Sequence, residues 1–386
     1  MDFSEPEHLE LLRDTVHRFA ERELPRETVR RWDAEDRFPR ETFDKLAALG
    51  LTGLTVPEEY GGAGRDILGA MVVIEELARH SLVMAVAFID CACYGGMNIG
   101  DVGSEAQKAE LLPRIARGEI LFAYGLTEPD AASDLASVTT RAAREGDEVV
   151  IDGTKRFCTA AKEAEYIYTL VRSGPAEARY ENLSFVLVPS DAAGLTMTHI
   201  PTMGLRGVPS YDVAFEGVRI PAANIIGGEA GWNRGWPMLA GPALDVEKLE
   251  VAALGLGVAQ AAVEDAWTYA EERIQFGKPI ARYQSIRHIL AECRTRLHAA
   301  RLVLYQAAWL AGEGLPCGIE SSMAKLYATE AAKEIALAGQ TVMSAYGYAT
   351  EYDMERYVRD ALLLPIIGGT SAIQRNNIAN RLKLPR

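Results

Sequence analysis

Leu126-Thr127-Glu128-Pro129-Asp130-Ala131-Ala132-Ser133-Asp134 is a polar, turn-forming run at the seam between two kinds of sequence. Upstream, apolar residues recur at the three-and-four spacing of helices that bury one face. Downstream the pattern becomes strand-like, and the helical period does not return until about Gly231. A turn held between rigid blocks is where functional groups collect. Taken alone the run is an ordinary loop. Its meaning comes from three companions: Lys155–Thr159, Glu271–Pro279 and Gly368–Gln374.

Working upstream, Leu9–Leu24 has a helical period that Pro25 ends, and Phe38-Pro39-Arg40-Glu41 opens a helix that stops at Gly50. The turn-rich bridge 51–64 follows. Asp66 can cap a helix to about His80, with Ile67, Ala70, Met71 and Ile74 on one face. Ser81–Gly95 continues as an almost wholly apolar, buried helix, and Ser104-Glu105-Ala106-Gln107 fits a capping box ahead of Leu111–Ala116. After Gly118, strands are expected at Val138–Ala143, Glu148–Ile151, Tyr166–Val171, Ser184–Val188, Leu195–Ile200 and Val213–Ile220. Short strands joined by tight loops suggest an antiparallel barrel or sandwich. From Gly231 onward, long helices cover Leu244–Arg273, Tyr283–Leu310 and Ile319–Tyr346. A short one runs from near Tyr352 to Pro365, and Thr370 or Ser371 caps the last. Up-and-down helices with short links predict a four-helix bundle. The expected fold is therefore mixed α and β, mainly α: helical domain 1–119, β domain 120–230 and helical bundle 231–386.

Composition narrows the function. The 386 residues carry a formal charge of −14, and no Lys/Arg run offers a groove for nucleic acid. The acidic start Met1–Glu7 lacks a signal-peptide pattern, and no segment approaches the roughly 20 unbroken apolar residues of a membrane span. Cys91, Cys93, Cys158, Cys293 and Cys317 are an odd, scattered set, which argues for free thiols and a cytoplasmic location. Cys91-Ala92-Cys93 has no second pair at zinc spacing, so no metal is expected. Rival nucleotide motifs fail. Gly255-Leu256-Gly257 lies inside a helix instead of after a strand, and Gly277-Lys278 lacks the Ser/Thr and upstream Gly of a phosphate loop.

The order helices, small β domain, bundle, with motifs at its seams, resembles the acyl-CoA dehydrogenase family along nearly the whole chain. Leu126–Asp134 resembles the family's first signature, with Asp130 and Ala132 where glycines are usual. Gly153–Thr159 is similar to its flavin-facing strand, with Phe157 where Trp is more common. Phe215–Asn224, Arg273–Pro279 with Gln284, and Gly369–Arg375 are similar to three further motifs. The resemblance implies FAD. Tyr124, Leu126, Thr127 and Ser133 would line the flavin, with Phe157 and Thr159 on its other side. Arg273, Phe276 and Gln284 would come from a neighbouring subunit to the pyrophosphate, so a homo-oligomer, a tetramer in the family, is implied. Taken alone, Arg273 also reads as a cation at a helix end. Thr341, Ser344, Ala345, Thr370 and Ala372 fall at further FAD positions, and Ser344-Ala345 replace paired glycines.

The reaction implied is α,β-dehydrogenation of an acyl-CoA thioester, with electrons passed to an electron-transferring flavoprotein. Ser133, Arg206, Asp245 and Lys248 match positions near coenzyme A, and Gly368 and Gly369 lie in the loop whose N–H polarises the thioester carbonyl. Lys248 stands where Arg is usual. Most of the family carries its catalytic base immediately before Gly-Thr in the C-terminal loop, but here that residue is Gly368. A minority, including enzymes resembling isovaleryl-CoA dehydrogenase, carries it on the long helix in a Leu-Asp-x-Glu-Arg run. Leu244-Asp245-Val246-Glu247-Lys248 places Glu247 there, although an acid in a first turn also stabilises a helix end. Glu250 is the reserve base. It either lines the acyl pocket, favouring short, branched or polar groups, or faces solvent or an Arg. Two alternatives remain open: a flavin enzyme of this fold acting on a carrier-protein thioester or reoxidised by oxygen, and a non-catalytic helical partner subunit.

Overall fold

The computed structural model describes residues 5–384; Met1–Ser4 of the acidic start, with Pro385 and Arg386, lie outside the described residues. The first third is helical: α1 Glu7–Glu23, α2 Arg26–Glu35, α3 Arg40–Ala47, α4 Ile67–His80, α5 Leu82–Phe88, α6 Asn98–Val102 and α7 Glu105–Ala116. Pro25 ends α1 as expected, yet it also opens α2, which the sequence pattern did not indicate. Proline is favourable at a helix start, where its missing N–H would have no partner. Asp66 caps α4 by accepting from the Gly69 N–H, and Ser104 with Gln107 forms the capping box of α7.

The apolar helix after Ser81 differs from its expectation. After α5 it widens into a π-helical segment, Ile89–Met97, and continues as α6. An i→i+5 turn adds a residue to the circuit and is frequent at functional sites. Gly95 lets this segment pack closely, because a Cβ there would stand 2.7 Å from the Phe122 ring. The window Leu82–Val102 is long and apolar enough to span a bilayer by composition, which the sequence reading had excluded. In the fold 89% of that window is buried inside the protein itself.

The middle of the chain is one curled seven-stranded sheet. Its strands are β1 Phe122–Gly125, β2 Arg141–Glu145, β3 Glu148–Thr159, β4 Tyr166–Arg172, β5 Leu183–Pro189, β6 Leu195–Ile200 and β7 Ser210–Pro221. The order is β1-β4-β2-β3-β7-β6, with β5 also on β4. The sheet is mixed: β1 pairs parallel to β4, and β2 meets β4 in parallel at Arg141–Arg172. Four-residue β1 carries no alternation to announce it, because three of its residues are buried. Strand β3 runs eight residues past the expected stop at Ile151, through register shifts at Ile151/Gly153 and Lys155/Cys158. The irregularity at Asp152-Gly153 is a bulge within the sheet and leaves the strand unbroken.

The last third comprises α8 Gly235–Leu239, α9 Pro242–Glu272, the hairpin β8 Ile274–Gln275 and β9 Lys278–Pro279, α10 Gln284–Gly312, α11 Gly318–Met343, α12 Met354–Leu363 and α13 Ser371–Arg381. Helices α9, α10 and α11 pack together, with α12 and α13 completing the bundle and α4 lying against α9. All five cysteines are free and buried.

Candidate active site

The loop that opened the sequence reading is clasped to β3 from beneath. Lys155, fully buried, donates to the Leu126 carbonyl at 3.0 Å and to Glu128 Oε1 at 2.8 Å. Glu128 also accepts from the Thr139 and Thr140 N–H groups at 2.6 and 2.9 Å. Burial pushes the Glu128 carboxyl up, but Lys155 and those two amides outweigh it and hold it at about 2. The Arg156 N–H donates to the Thr127 carbonyl at 2.8 Å, tying two expected flavin motifs edge to edge.

With its polar groups satisfied below, this corner turns an apolar face outward. The bulge holds Phe157 at φ 57°, and its ring is 54% exposed. Tyr124, Leu126 and Thr127 are half-buried, Ser133 is exposed, and the Thr159 hydroxyl pairs with Ser210 at 2.9 Å. An aromatic ring kept exposed by a strained backbone, flanked by amides and hydroxyls, fits a flat heteroaromatic group such as FAD.

The other expected FAD residues form a second group on the bundle. Arg273 is the C-terminal cap of α9, and its guanidinium lies 5.2 Å from the centroid of the Tyr346 ring. Ser344 holds φ 55°, the conformation a glycine would supply, and Thr341 and Ala345 are exposed beside it. Phe276, at the tip of the β8–β9 hairpin, is 95% exposed, and Gln284 is exposed at the start of α10. Thr370 caps α13 through the Ile373 N–H, and Ala372 is exposed.

The chemistry centres on one face of α9. Glu247 and Glu250 line a pocket closed by Cys93, Tyr94 and Asn98 from the π-helical segment and α6, and by Tyr124 from β1. A Cβ built on Gly368 would stand 4.0 Å from Glu247 Oε1. The carboxylate of the long helix therefore reaches the place that a side chain at 368 would occupy from the opposite wall. Burial pushes Glu247 up to about 7, against the pull of Lys248 and Lys325. Glu250, 3% exposed, is pushed to about 8 by burial and then by the Glu247 charge. Its Oε2 has no hydrogen-bond partner among the described residues. It does not face solvent, and among the described residues it meets no Arg.

Opposite Glu247 runs the Gly368–Thr370 loop, with Gly368 and Gly369 at φ 58° and 80°. Gln374 Nε2 donates to the Gly368 and Gly369 carbonyls at 3.0 and 2.9 Å, and Lys325 Nζ donates to the latter at 2.9 Å. Because a trans peptide points its N–H opposite its C=O, the Gly369 and Thr370 N–H groups face away from these anchors. Among the described residues neither of these N–H groups has an acceptor. Sequence reasoning missed Lys325, and the signal was available: a lone cation in Ser321-Ser322-Met323-Ala324-Lys325, otherwise a buried helix face. It also missed Asp90, Cys93, Tyr94 and Asn98, because an apolar helical period does not announce a π turn.

The residues expected near coenzyme A are less united. Lys248 donates to Asp245 at 2.7 Å, and Asp245 also accepts from Ser321 at 3.3 Å and Arg381 at 3.4 Å. Arg206 sits between β6 and β7, beside Leu205 and Gly207, whose N–H groups donate to Asp360 and Asp36. Among the described residues, no hydrogen bond joins Arg206 to the Asp245 cluster.

An exposed aromatic ring flanked by hydroxyls, a buried glutamate, and a loop with free N–H groups fit a flavin-dependent oxidoreductase of acyl thioesters. Models of the acyl-CoA dehydrogenase N-terminal, middle and C-terminal domains match residues 6–119, 123–218 and 233–383. The chain is 35% identical to a probable acyl-CoA dehydrogenase of Bacillus subtilis, covering 99% of this chain and 100% of that one. Butyryl-CoA dehydrogenase of Megasphaera elsdenii superimposes with TM-score 0.94 at 30% identity, over 99% of this chain and 100% of that one. A chain solved in work on the electron-transferring flavoprotein of Acidaminococcus fermentans superimposes with TM-score 0.95 at 30% identity, covering both chains fully at 100%. The chain belongs to the acyl-CoA dehydrogenase family, whose cofactor is FAD.

Proposed function

We propose that Glu247 is the general base of this acyl-CoA dehydrogenase. The observation that carries the reading is the 4.0 Å between Glu247 Oε1 and the Cβ position of residue 368, where most of the family keeps its base. A carboxylate whose pKa lies near the working pH both accepts and releases a proton readily. The free N–H groups of the Gly369–Thr370 loop face charge that develops on the thioester oxygen as the α proton leaves. FAD, when bound, supplies the hydride acceptor. Tyr94, Tyr124 and Val246 close the pocket around the acyl group and restrict water. Glu247→Gln is expected to keep FAD and thioester binding but to bleach the flavin at least about 10²-fold more slowly. Near-normal bleaching would move the base to Glu250.

The polar pocket supports a short or substituted acyl group over a long fatty chain. Electron transfer to an electron-transferring flavoprotein, a cytoplasmic location, and divisions near residues 119 and 230 belong to the same reading. Lys248 is engaged by Asp245, so that position lacks a free cation for coenzyme A phosphate. This observation favours a second carrier, a protein-bound thioester, and parallel assays with coenzyme A and carrier-protein esters separate the two.

A further inference from the structure

Where α1 packs on α4, three side chains turn donor atoms towards one another. His17 comes from α1, and Glu76 and His80, spaced i,i+4, come from one face of α4. Each offers one ligand atom, and these atoms all lie within 4.8 Å of one another. His17 Nδ1 stands 2.9 Å from Glu76 Oε1, and His80 Nε2 stands 3.5 Å from the same oxygen. His80 Nε2 is covered from solvent and has no hydrogen-bond partner among the described residues. The second nitrogen of His17, Nε2, lies 3.4 Å from Glu21 Oε1. Burial pushes the Glu76 carboxyl up, but His80, Arg79 and His17 outweigh it and hold it at about 2, so the group at the centre of the set is ionised.

The arginines beside this set have their main partners elsewhere. Arg79 donates from Nε and Nη2 to Glu264 of α9 at 2.9 and 2.8 Å, and only its Nη1 reaches Glu76, at 3.1 Å. Arg13 grips Glu5 at 3.1 and 2.7 Å and Tyr305 at 2.9 Å, with Nη1 3.6 Å from Glu76. Arg301 pairs with Glu75. The five carboxylates Glu5, Glu21, Glu75, Glu76 and Glu264 thus face the three guanidiniums Arg13, Arg79 and Arg301, an excess of two negative charges while both imidazoles are neutral. We propose that His17, Glu76 and His80 bind a divalent transition-metal ion such as zinc, through one nitrogen of each imidazole and one carboxylate oxygen. Two imidazoles and a carboxylate suit zinc, with water in the fourth place. Ligand atoms about 2.0–2.1 Å from a tetrahedral zinc stand roughly 3.3–3.4 Å apart. The 2.9 and 3.5 Å separations bracket that spacing, so small rotations of the rings admit the ion. Glu21 is then the carboxylate that a metal-bound imidazole commonly keeps on its other nitrogen. The ion ties α1 to α4, which in turn packs on α9, the helix that carries Glu247. Repulsion from Arg79 and Arg13 holds the affinity below that of an isolated site.

The set lies apart from the acyl pocket, so binding is read without turnover. Holoenzyme stripped of metal with a chelator is titrated with zinc chloride by calorimetry. One ion per chain is expected, with Kd on the order of 1–10 μM. His17→Ala and His80→Ala, made separately, should each weaken binding at least about tenfold, with flavin absorbance and circular dichroism confirming that both variants fold. Zinc at about 100 times Kd should raise the melting temperature of the parent protein by about 3 °C, and that of either variant by less. Should the variants fail to fold, diethyl pyrocarbonate labelling of His17 in the parent protein, read by mass spectrometry, is expected to fall when zinc is present. No binding tighter than about 100 μM, full binding retained by both variants, or equal labelling with and without zinc overturns the proposal.

Discussion

Lys325 shows how one buried cation serves two tasks. Its ammonium pins the Gly369 carbonyl, and its field acts on Glu247. Burial lowers Lys325 to about 8, against the pull of Glu330 and Glu247. As the proposed base, Glu247 would have to be ionised to accept a proton, so bleaching should rise with pH through about 7. Lys325→Met removes a positive charge that favours the carboxylate and so pushes Glu247 higher. The rising limb of the single-turnover pH profile is expected to move alkaline by about one unit or more. A slower rate with an unmoved limb would reduce Lys325 to a purely structural anchor.

At the scale of elements, the 126–134 loop and β3 act as one unit because Glu128 and Lys155 are paired away from water, at 4% and 0% exposure. Removing one partner of such a pair strands a buried charge and costs about 3–5 kcal/mol. Lys155→Met is therefore expected to lower the unfolding free energy by that amount and to loosen FAD, measured by denaturant titration and by flavin retained on gel filtration. The pH dependence has a definite sign. Glu128 is depressed in the folded state to about 2, so its contribution is present above the unfolded carboxylate pKa. It is lost as pH falls towards 2, and Lys155→Met should flatten this acid limb. An unchanged acid limb would show that the pair does not clasp the two segments.

For the whole molecule, the first and last thirds are joined by ion pairs that skip the β sheet. Arg30 of α2 meets Asp353 at 2.8 Å, and Arg359 of α12 meets Asp33 at 2.8 Å. The β part is stitched to the same helix where the Leu205 N–H donates to Asp360. Against this closed interior the bundle exposes large apolar groups: Phe276 at 95%, Tyr348 at 80% and Ile366 at 62%. Exposed apolar groups of this size mark contact surfaces. Phe276→Asp is expected to shift the protein towards smaller species in light scattering and to release FAD. A normal mass with full FAD occupancy would place the subunit contact, and the completion of the FAD site, elsewhere.

The sequence by itself determined whatever depends on local period and local chemistry. The helix ends at Asp66 and Ser104 were readable, and the last was narrowed to Thr370 or Ser371, because a cap satisfies backbone donors within three residues. The proposal of Glu247 as base came by resemblance, from an acid in the right run and a glycine at 368. Tertiary structure alone decided what depends on residues far apart in the chain. The parallel pairing of β1 with β4, the outward turn of Phe157 at a bulge, and the burial of Glu128 against Lys155 each require a partner more than twenty residues away. The same holds for the active-site pocket. Tyr94, Asn98, Tyr124, Glu247 and Glu250 line it from separate elements, and only packing reveals that Glu250 has an oxygen with no partner among the described residues. A hydrophobic pattern records which residues avoid water, but it does not record which polar group they enclose.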